Sequence, residues 1–492
     1  MRRRLSLGVF LALVLSLAVP AAAFAQGGAV EAVKTELDMT WVMIATALVL
    51  FMQAGFLLLE IGFSRQKNVG AGVAKILVNL GIVSLAWYMF GQGINGPGNE
   101  LFGTDGFFYH FGQDVAGTVV GTVDIGFMLF GLAFAAVSLA IVWGTTLERI
   151  KFSAYVIYAF VFGALIYPLV AHAFWSGDGL LDDIGGKEVL DFAGSSVVHL
   201  TGATAGLAAL LLLGARAGKY GADGKPRAIP GHSMPLVGLG VLILWVGWYG
   251  FNAGSTLGTT DVAFAEVALN TQLAAGAGVL GALLIVYMRT RSLDVGMAGN
   301  GAIAGLVGIT AGCGYVEQWA AVVIGLVAGV LVVYSVLFIE KYLDDPVGAL
   351  SAHGMAGIWG TLAVGIFGTE RLVGDTASPG VWYGIFDGNI EFADTLGQLG
   401  VQAVGVVGTF ALVFGLSFAA FYAMKQVIGL RVSEDQELAG LDISSHGMYG
   451  YPEQFIPPEE YPGGVTPPAH APTPSTAPAA VTPMTSERPS EA

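Results

Sequence analysis

The chain has 492 residues, of which 55% are hydrophobic and only 12% are charged, and its formal net charge is −15. A soluble protein of this composition would have too little polar surface to cover its core, and a chain of this charge lacks the basic face that binds nucleic acid. The single cysteine, Cys313, excludes an intrachain disulfide framework and any multi-cysteine metal site. The 72 glycines suit helices that pack closely in lipid, so the composition predicts an all-α polytopic membrane protein.

Residues 1–25 have the pattern of a secretory signal peptide. Arginines at 2–4 form a basic region, residues 5–19 are apolar, and residues 23–25 form a small-residue cleavage site. The apolar run is short and is followed by Pro20, which favours cleavage over an uncleaved first membrane helix. Cleavage would leave the mature amino terminus outside the cytoplasm.

Eleven apolar runs are long enough to cross about 30 Å of hydrocarbon. They lie at 41–63, 70–93, 119–146, 152–173, 192–215, 235–257, 264–288, 297–315, 319–339, 349–368 and 399–424. With the amino terminus outside, the odd-numbered connections are cytoplasmic, and basic residues should concentrate there. Those on the predicted inner side are Arg65, Lys67, Arg149, Lys151, Arg216, Lys219, Lys225, Arg227, Arg289, Arg291, Lys341, Lys425 and Arg431, and those outside are Lys34, Lys187 and Arg371. This asymmetry predicts a multi-pass protein of the inner (plasma) membrane with a cytoplasmic carboxyl terminus.

Two segments carry a histidine in related surroundings. They are Asp191–Gly206, DFAGSSVVHLTGATAG, and Asp345–Gly360, DPVGALSAHGMAGIWG. In each, the histidine, His199 or His353, follows an aspartate by eight residues and a glycine by five. An ionisable side chain at membrane depth is costly and indicates function, and two at matched positions indicate it more strongly than one. A histidine that is merely packed in the core remains the alternative for either residue alone.

The two histidine segments are inverted with respect to the membrane, because helix five runs inward and helix ten runs outward. Eight residues of helix rise about 12 Å, so each histidine would approach the middle of the bilayer from its own face. Helices 1–5 and 6–10 are therefore predicted to be two five-helix inverted repeats with a transport site between them, and helix 11 to be peripheral.

Aromatic residues near helix ends allow two interpretations. Phe130, Phe134 and Phe251 fall in membrane helices, where a phenylalanine is ordinarily a packing or lipid-facing residue. Trp175 ends helix four, where tryptophan commonly anchors the interface, although its ring could also hold a cation. Spacing alone leaves both interpretations open.

With these residues in view, the chain resembles the ammonium transporter (Amt/Mep/Rh) family, most closely its bacterial and plant Amt branch. The resemblance runs from Trp41 to Pro452 and rests on several blocks in the same order: LERIKFSAY, DFAGSSVVH, GWYGFNAGS, AGNGAIAGLVGITAGCGY and LDDPVGALSAHG. It implies an ammonium transporter or channel rather than an enzyme, with no cofactor and no metal, and with methylammonium as a substrate analogue. It also implies a homotrimer in which each subunit has its own pore.

The resemblance assigns roles to individual residues. His199 and His353 match the paired histidines of a narrow hydrophobic pore, Phe134, Trp175 and Ser255 match an outer ammonium-recruitment site, Phe134 and Phe251 match a stacked gate, and Asp191 matches an acid that supports the site without lining the lumen. Two positions depart from the pattern. Some members carry an acid where this chain has Gly348, and some carry a polar residue beside the gate where it has Gly131.

The resemblance and the composition together divide the chain into four parts. Residues 1–25 are the predicted signal peptide and 26–424 the membrane domain, while 425–456 is similar to a cytoplasmic regulatory tail on which PII-type proteins act. Residues 457–492 are rich in Pro, Ala and Thr and are expected to be disordered, because they have too few large apolar residues to build a core.

The implied mechanism starts with recruitment and deprotonation of ammonium at the outer aromatic site. Ammonia would then pass the hydrophobic pore, with or without a proton relayed separately along the histidines. One alternative is an ammonium sensor that signals through the tail, which is disfavoured because no output domain is expected after helix eleven. Another is a membrane cytochrome with His199 and His353 as haem ligands, which is weakened because the surrounding glycines suit direct helix contact better than a macrocycle.

Overall fold

Helices make up all of the regular structure in the described part of this protein. The structure is a computed structural model that describes residues 27–109, 119–259 and 263–452. The predicted signal peptide, 1–25, and the Pro/Ala/Thr-rich residues 457–492 lie outside the described residues. The chain divides into two units, Met1–Gly450 and Tyr451–Ala492, and the structure describes only residues 451 and 452 of the second unit.

Among the described residues, eleven helices correspond one to one with the predicted apolar runs. They are α1 Gly27–Phe63, α2 Gln66–Asn95, α3 Val119–Thr145, α4 Phe152–Trp175, α5 Ser195–Leu213, α6 Met234–Thr256, α7 Ala263–Thr290, α8 Val295–Thr310, α9 Gln318–Ile339, α10 Leu350–Phe367 and α11 Phe392–Val427. Ten of these are long and apolar enough to span a membrane, and α8 is apolar but shorter. Four short α-helices, Glu370–Val373, Val381–Phe386, Glu434–Ala439 and Leu441–His446, and the 3-10 turn Phe107–Tyr109 complete the described fold. The predicted all-α polytopic fold is confirmed.

Three helix boundaries differ from the predicted ones for identifiable reasons. The first membrane helix starts at Gly27 rather than 41, because its first turns carry polar but helix-favouring residues that hydropathy does not detect. For the same reason α11 starts at Phe392 rather than 399. Conversely, α8 ends at Thr310 rather than 315, because the glycine-rich AGCGY sequence that follows forms turns.

Glycines bring α7, α8 and α9 into direct backbone contact. A Cβ atom placed at Gly329 of α9, or at Gly305 of α8, would meet the backbone of the α7 residues Gly278 and Ala274. Small residues allow helices in lipid to approach this closely and to gain dispersion energy along their whole length. The close approach of these three helices therefore depends on glycine at these positions.

Replacing Gly329 with alanine is therefore expected to destabilise the fold. The new methyl group would overlap the carbonyl oxygen of Gly278, and overpacking of this kind costs about 1–3 kcal/mol. The matched control is Gly276→Ala in α7, where a Cβ atom meets nothing within 4 Å. Thermal unfolding in detergent can be followed by the reaction of a thiol dye with Cys313, which is fully buried. Equal melting temperatures for the two variants would contradict the proposed close packing.

Two faces of the bundle can be distinguished by their connections. On the tail face, where α1 ends at Phe63, the segment after α11 is attached to the helix ends: Lys151 N–H donates to the Leu430 carbonyl at 2.8 Å, and Ala71 N–H donates to Asp442 at 2.9 Å. On the opposite face, called the vestibule face, α5 begins at Ser195. The predicted tail, 425–456, thus contacts the membrane helices as far as it is described.

A buried ion cluster joins the helix ends at the tail face. Arg216, just after α5, forms a bidentate pair with Asp344, just before α10, at 2.9 Å for each bond, and also approaches Glu148 at 3.4 Å. Burial raises the pKa of Asp344, but hydrogen bonds from Arg216 and the charge of Arg149 outweigh it and hold this pKa at about 2. The pair therefore stays charged until the pH falls towards that value, and it ties together the two helices that carry the histidines.

Candidate functional site

The start of α5 is organised by one carboxylate. Asp191 accepts hydrogen bonds from the backbone N–H groups of Gly194, Ser195, Ser196 and Val197, at distances from 2.8 to 3.0 Å. The chain turns at Gly194 with a φ of 111°, a left-handed conformation that glycine adopts without strain. The carboxylate thus satisfies the free N–H groups of the helix terminus and complements its dipole.

The start of α10 repeats this arrangement at the same spacing. Asp345 accepts hydrogen bonds from the N–H groups of Gly348, at 3.1 Å, and Leu350, at 2.7 Å. Gly348 also has a left-handed backbone, with a φ of 77°, which explains why glycine suits this departure from the family pattern. Both helices open with a π-helical turn that contains the histidine, at Ser195–Leu200 and Leu350–Met355. The matched caps are those expected of inverted repeats.

The two histidines meet between α5 and α10. Nδ1 of His353 lies 3.2 Å from Nδ1 of His199, and the ring centroids are 5.2 Å apart with planes inclined by 26°. One ring can donate this hydrogen bond and the other accept it, because neutral imidazole has one donor and one acceptor nitrogen. Direct contact leaves no room for a macrocycle between the rings, so the geometry disfavours the haem alternative.

Glycines on α10 allow this close approach, as the sequence predicted. A Cβ atom at Gly357 would lie 2.6 Å from the Ser195 carbonyl oxygen, and one at Gly360 would lie 2.6 Å from the Ser195 hydroxyl. Larger residues would push the helices apart and separate the imidazoles.

Aromatic rings enclose the histidine pair. His199 stacks on Trp248 with centroids 5.2 Å apart, while Phe56 lies 6.3 Å from His353. The Nε2 atom of His199 is buried and has no hydrogen-bond partner among the described residues. Neither Trp248 nor Phe56 stands out in the sequence as a site residue, although Trp248 lies within the GWYGF block.

On the vestibule side of the histidines, two aromatic rings stack on each other. The rings of Phe134 and Phe251 are 4.1 Å apart and inclined by 12°, and both side chains are buried. Phe130 lies against Phe134 at 4.6 Å. A Cβ atom at Gly131 would come within 2.8 Å of the Trp87 ring, which explains why a larger polar residue is not accommodated there. The predicted gate residues are therefore neighbours.

Beyond the phenylalanines, a cavity of about 550 Å³ opens on the vestibule face. Its lining includes Phe134, Trp175, Ser255 and Asp191. Trp175 is 38% exposed, and its Nε1 donates to the Asp191 carbonyl at 2.8 Å. The Ser255 hydroxyl donates to the Phe251 carbonyl at 2.8 Å, which leaves its oxygen free to accept. Asp191 borders this cavity while its carboxylate binds the backbone.

A second, smaller cavity lies on the tail side of the histidines. It has room for about one water molecule, with a volume of about 20 Å³, and its lining includes His353, Phe56, Asn300 and Glu60. Glu60 was not among the predicted site residues. It is nevertheless an acidic residue inside the apolar run 41–63, and the cost of an ionisable side chain at membrane depth applies to it as it does to the histidines.

Comparison with known proteins agrees with this geometry. Residues 40–451 match the model of the Ammonium Transporter Family. Ammonium transporter Amt2 of Archaeoglobus fulgidus is 44% identical over 426 residues, which cover 84% of this chain and 88% of that protein. A solved structure named Sensor Amt Protein is 35% identical with a TM-score of 0.76, covering 84% of this chain and 99% of that one. Mep2 of Candida albicans is 30% identical with a TM-score of 0.71, covering 81% and 87%. This multi-pass membrane protein therefore belongs to the ammonium transporter family.

Proposed function

We propose that the chain moves ammonium or ammonia across the membrane through the passage that contains His199 and His353. The observation that carries this proposal is the order of groups along one line. A wide cavity lined by Trp175 and Ser255 leads to the stacked rings of Phe134 and Phe251, then to the histidine pair, and then to a narrow cavity. This order of groups suits a small cation that binds in the wide cavity and loses a proton before it enters the apolar part of the passage.

The vestibule would recruit the ammonium ion. Trp175 is partly exposed and its ring can attract a cation, and the Ser255 oxygen can accept a hydrogen bond from one of the N–H groups of ammonium. Asp182 and Glu188 also line this cavity, and their negative charge would raise the local concentration of cations.

Deprotonation would precede passage through the phenylalanines. A charged ion entering this apolar region without hydrogen bonds would bear a large desolvation cost, whereas neutral ammonia would bear much less. Ammonia that passes Phe251 would find the unpartnered Nε2 edge of His199. The two imidazoles then offer successive hydrogen bonds to ammonia. Asp191 stabilises the start of α5, the helix that carries His199, by accepting hydrogen bonds from its backbone.

The orientation and assembly of the protein belong to the same proposal. The tail face is the cytoplasmic side of the plasma membrane, supported by the basic residues Arg65, Arg149, Arg216 and Lys425 found there. The mature amino terminus, from residue 26 after signal cleavage, is outside. The protein assembles as a homotrimer, and residues 425–456 form a regulatory tail that a PII-type protein can contact.

Reconstitution tests transport directly. Purified protein in liposomes is expected to take up methylammonium down an imposed gradient, with internal pH and membrane current recorded together. Protein-free liposomes supply the background. The alternative function is sensing, favoured by the likeness to the solved Sensor Amt Protein. Saturable ammonium binding without flux above the background would support sensing and contradict transport.

Replacing Trp175 with leucine is expected to weaken recruitment. Loss of the cation–π contact should raise the apparent KM for ammonium about three- to thirtyfold, with a smaller effect on the maximal rate. Trp319→Leu is the matched control, because Trp319 is similarly exposed, at 41%, and does not line the vestibule cavity. An unchanged KM in the Trp175 variant would remove this residue from the recruitment site.

A further inference from the structure

Glu60 has an unusual environment for an acidic side chain. It lies in α1, one turn before the helix ends at Phe63, and it is only 1% exposed. Neither of its carboxylate oxygens has a hydrogen-bond partner among the described residues. A buried carboxylate without such partners is costly, and an intramembrane acid retained despite this cost commonly belongs to an ion or proton pathway.

The cavity that Glu60 lines also contains His353. The Glu60 side chain lies against Gly144 of α3, so that a Cβ atom there would be 3.7 Å from its Oε1 atom. The cavity has room for about one water molecule, which could connect the imidazole and the carboxyl group. His353 therefore contacts His199 on one side and faces this cavity on the other.

The other charged and titratable groups near Glu60 come from the adjoining helices. Lys75 of α2 is 2% exposed and interacts electrostatically with Glu60, and it in turn interacts with Glu148 and Arg149. Tyr155 of α4 donates a hydrogen bond to the Lys75 carbonyl and lies within the electrostatic reach of Glu60. A purely structural counter-ion would be expected to hydrogen-bond Lys75, yet both carboxylate oxygens are unpartnered.

We propose that the Glu60 carboxyl group is a proton-exchange site at the tail-side end of the pore. It accepts a proton from the His353 imidazolium, which becomes neutral imidazole, and gives that proton to ammonia in the small cavity, which leaves as ammonium. Each cycle thus returns Glu60 to its carboxylate form and moves one proton and one ammonia. This role rests on the proposed transport function, and it assigns to Glu60 the step that recombines the proton with ammonia.

Glu60→Gln tests the exchange because it keeps the shape of the side chain and removes the titratable group. In proteoliposomes, the ammonium-driven current is expected to fall about a hundredfold, as for loss of a general acid–base group. Glu60→Asp retains a carboxyl group and should recover part of the current. Glu340→Gln, on the same face but partly exposed and paired with Lys219, is the matched control and should keep the wild-type current.

A double variant separates exchange from simple charge balance. Glu60→Gln leaves Lys75 as an uncompensated buried charge, which could itself impair folding. Glu60→Gln/Lys75→Met removes both charges and should restore the melting temperature. If Glu60 only balances Lys75, the current returns in the double variant. If Glu60 exchanges protons, the double variant folds and its current stays low.

An infrared measurement gives a readout that does not depend on flux. Adding ammonium to purified wild-type protein is expected to change the carbonyl band of a protonated carboxyl group, and this change should be missing from Glu60→Gln. Wild-type current in Glu60→Gln or in the double variant, wild-type flux without any current, or an infrared band insensitive to ammonium would each overturn the proposal. Absence of wild-type flux would instead overturn the transport function, with the infrared result deciding the exchange separately.

Discussion

The His199→Ala/His353→Ala double variant is expected to lose ammonium transport. The two rings lie between the stacked phenylalanines and the Glu60 cavity, and they are joined by a contact of 3.2 Å. Alanine at both positions leaves an apolar gap, because its side chain can neither form a hydrogen bond with ammonia nor accept a proton. Methylammonium uptake and current should both fall about a hundredfold or more, by analogy with loss of acid–base groups.

The double variant is informative because the fold should tolerate it. Removing both partners leaves neither imidazole with a broken hydrogen bond, so the cost is mainly that of a cavity. The melting temperature, followed through the thiol of Cys313, checks this expectation. His232→Ala serves as a control for histidine loss, since His232 lies on the tail-face connection and contacts the Ser64 carbonyl at 3.1 Å. Undiminished flux in a folded double variant would refute the roles assigned to the pair.

Removal of the Asp191 carboxylate is expected to have the largest effect on stability. Alanine at this position leaves four buried N–H groups without an acceptor, and each such loss costs about 1–3 kcal/mol. The sum is comparable with the whole stability of a typical domain, about 5–15 kcal/mol. Asp191→Ala should therefore yield little folded protein. Asp191→Asn should fold with a clearly lower melting temperature, because its amide N–H₂ group would face two of the donors.

Asp294→Ala provides the comparison for this effect. Asp294 also caps a helix, α8, but it accepts a hydrogen bond from Met297 N–H at 2.8 Å in an exposed setting. Loss of such a cap costs about 1 kcal/mol. Size-exclusion profiles and thiol-dye melting curves of the variants should rank them Asp191→Ala, Asp191→Asn and Asp294→Ala, in order of decreasing damage. A similar small decrease in melting temperature for all three variants would show that the Asp191 cap stabilises the fold no more than an ordinary helix cap does.

Several parts of the site could be recognised from residue spacing. The repeated pattern of aspartate, glycine and histidine predicted two related helix starts, and the structure explains it as two carboxylate caps followed by glycines with left-handed backbones. The charge cost of a histidine in an apolar run likewise identified His199 and His353, because that cost depends on the local sequence. The family resemblance, rather than spacing, brought in Trp175 and Ser255.

Other parts depend on which helices meet. Trp248 stacks on His199, and Phe56 lies near His353, only because α6 and α1 pack beside α5 and α10. Neither residue differs in the sequence from many other aromatic residues of membrane helices. Glu60 was visible as a charge in an apolar run, but its position in a cavity shared with His353 became apparent only from the arrangement of the helices.

Composition and spacing along the chain by themselves determined the membrane class, the eleven helices and the inverted relation of the two histidine segments. These properties follow from hydrophobicity and helical rise, which are local to each segment. Tertiary structure alone decided that the two Nδ1 atoms meet at 3.2 Å, that Trp248 stacks on His199 and that Glu60 faces the far side of the pair. Such contacts depend on how helices that are distant in sequence cross each other. Close packing at glycines fixes the distance between these helices, and no residue pattern along a single helix encodes it.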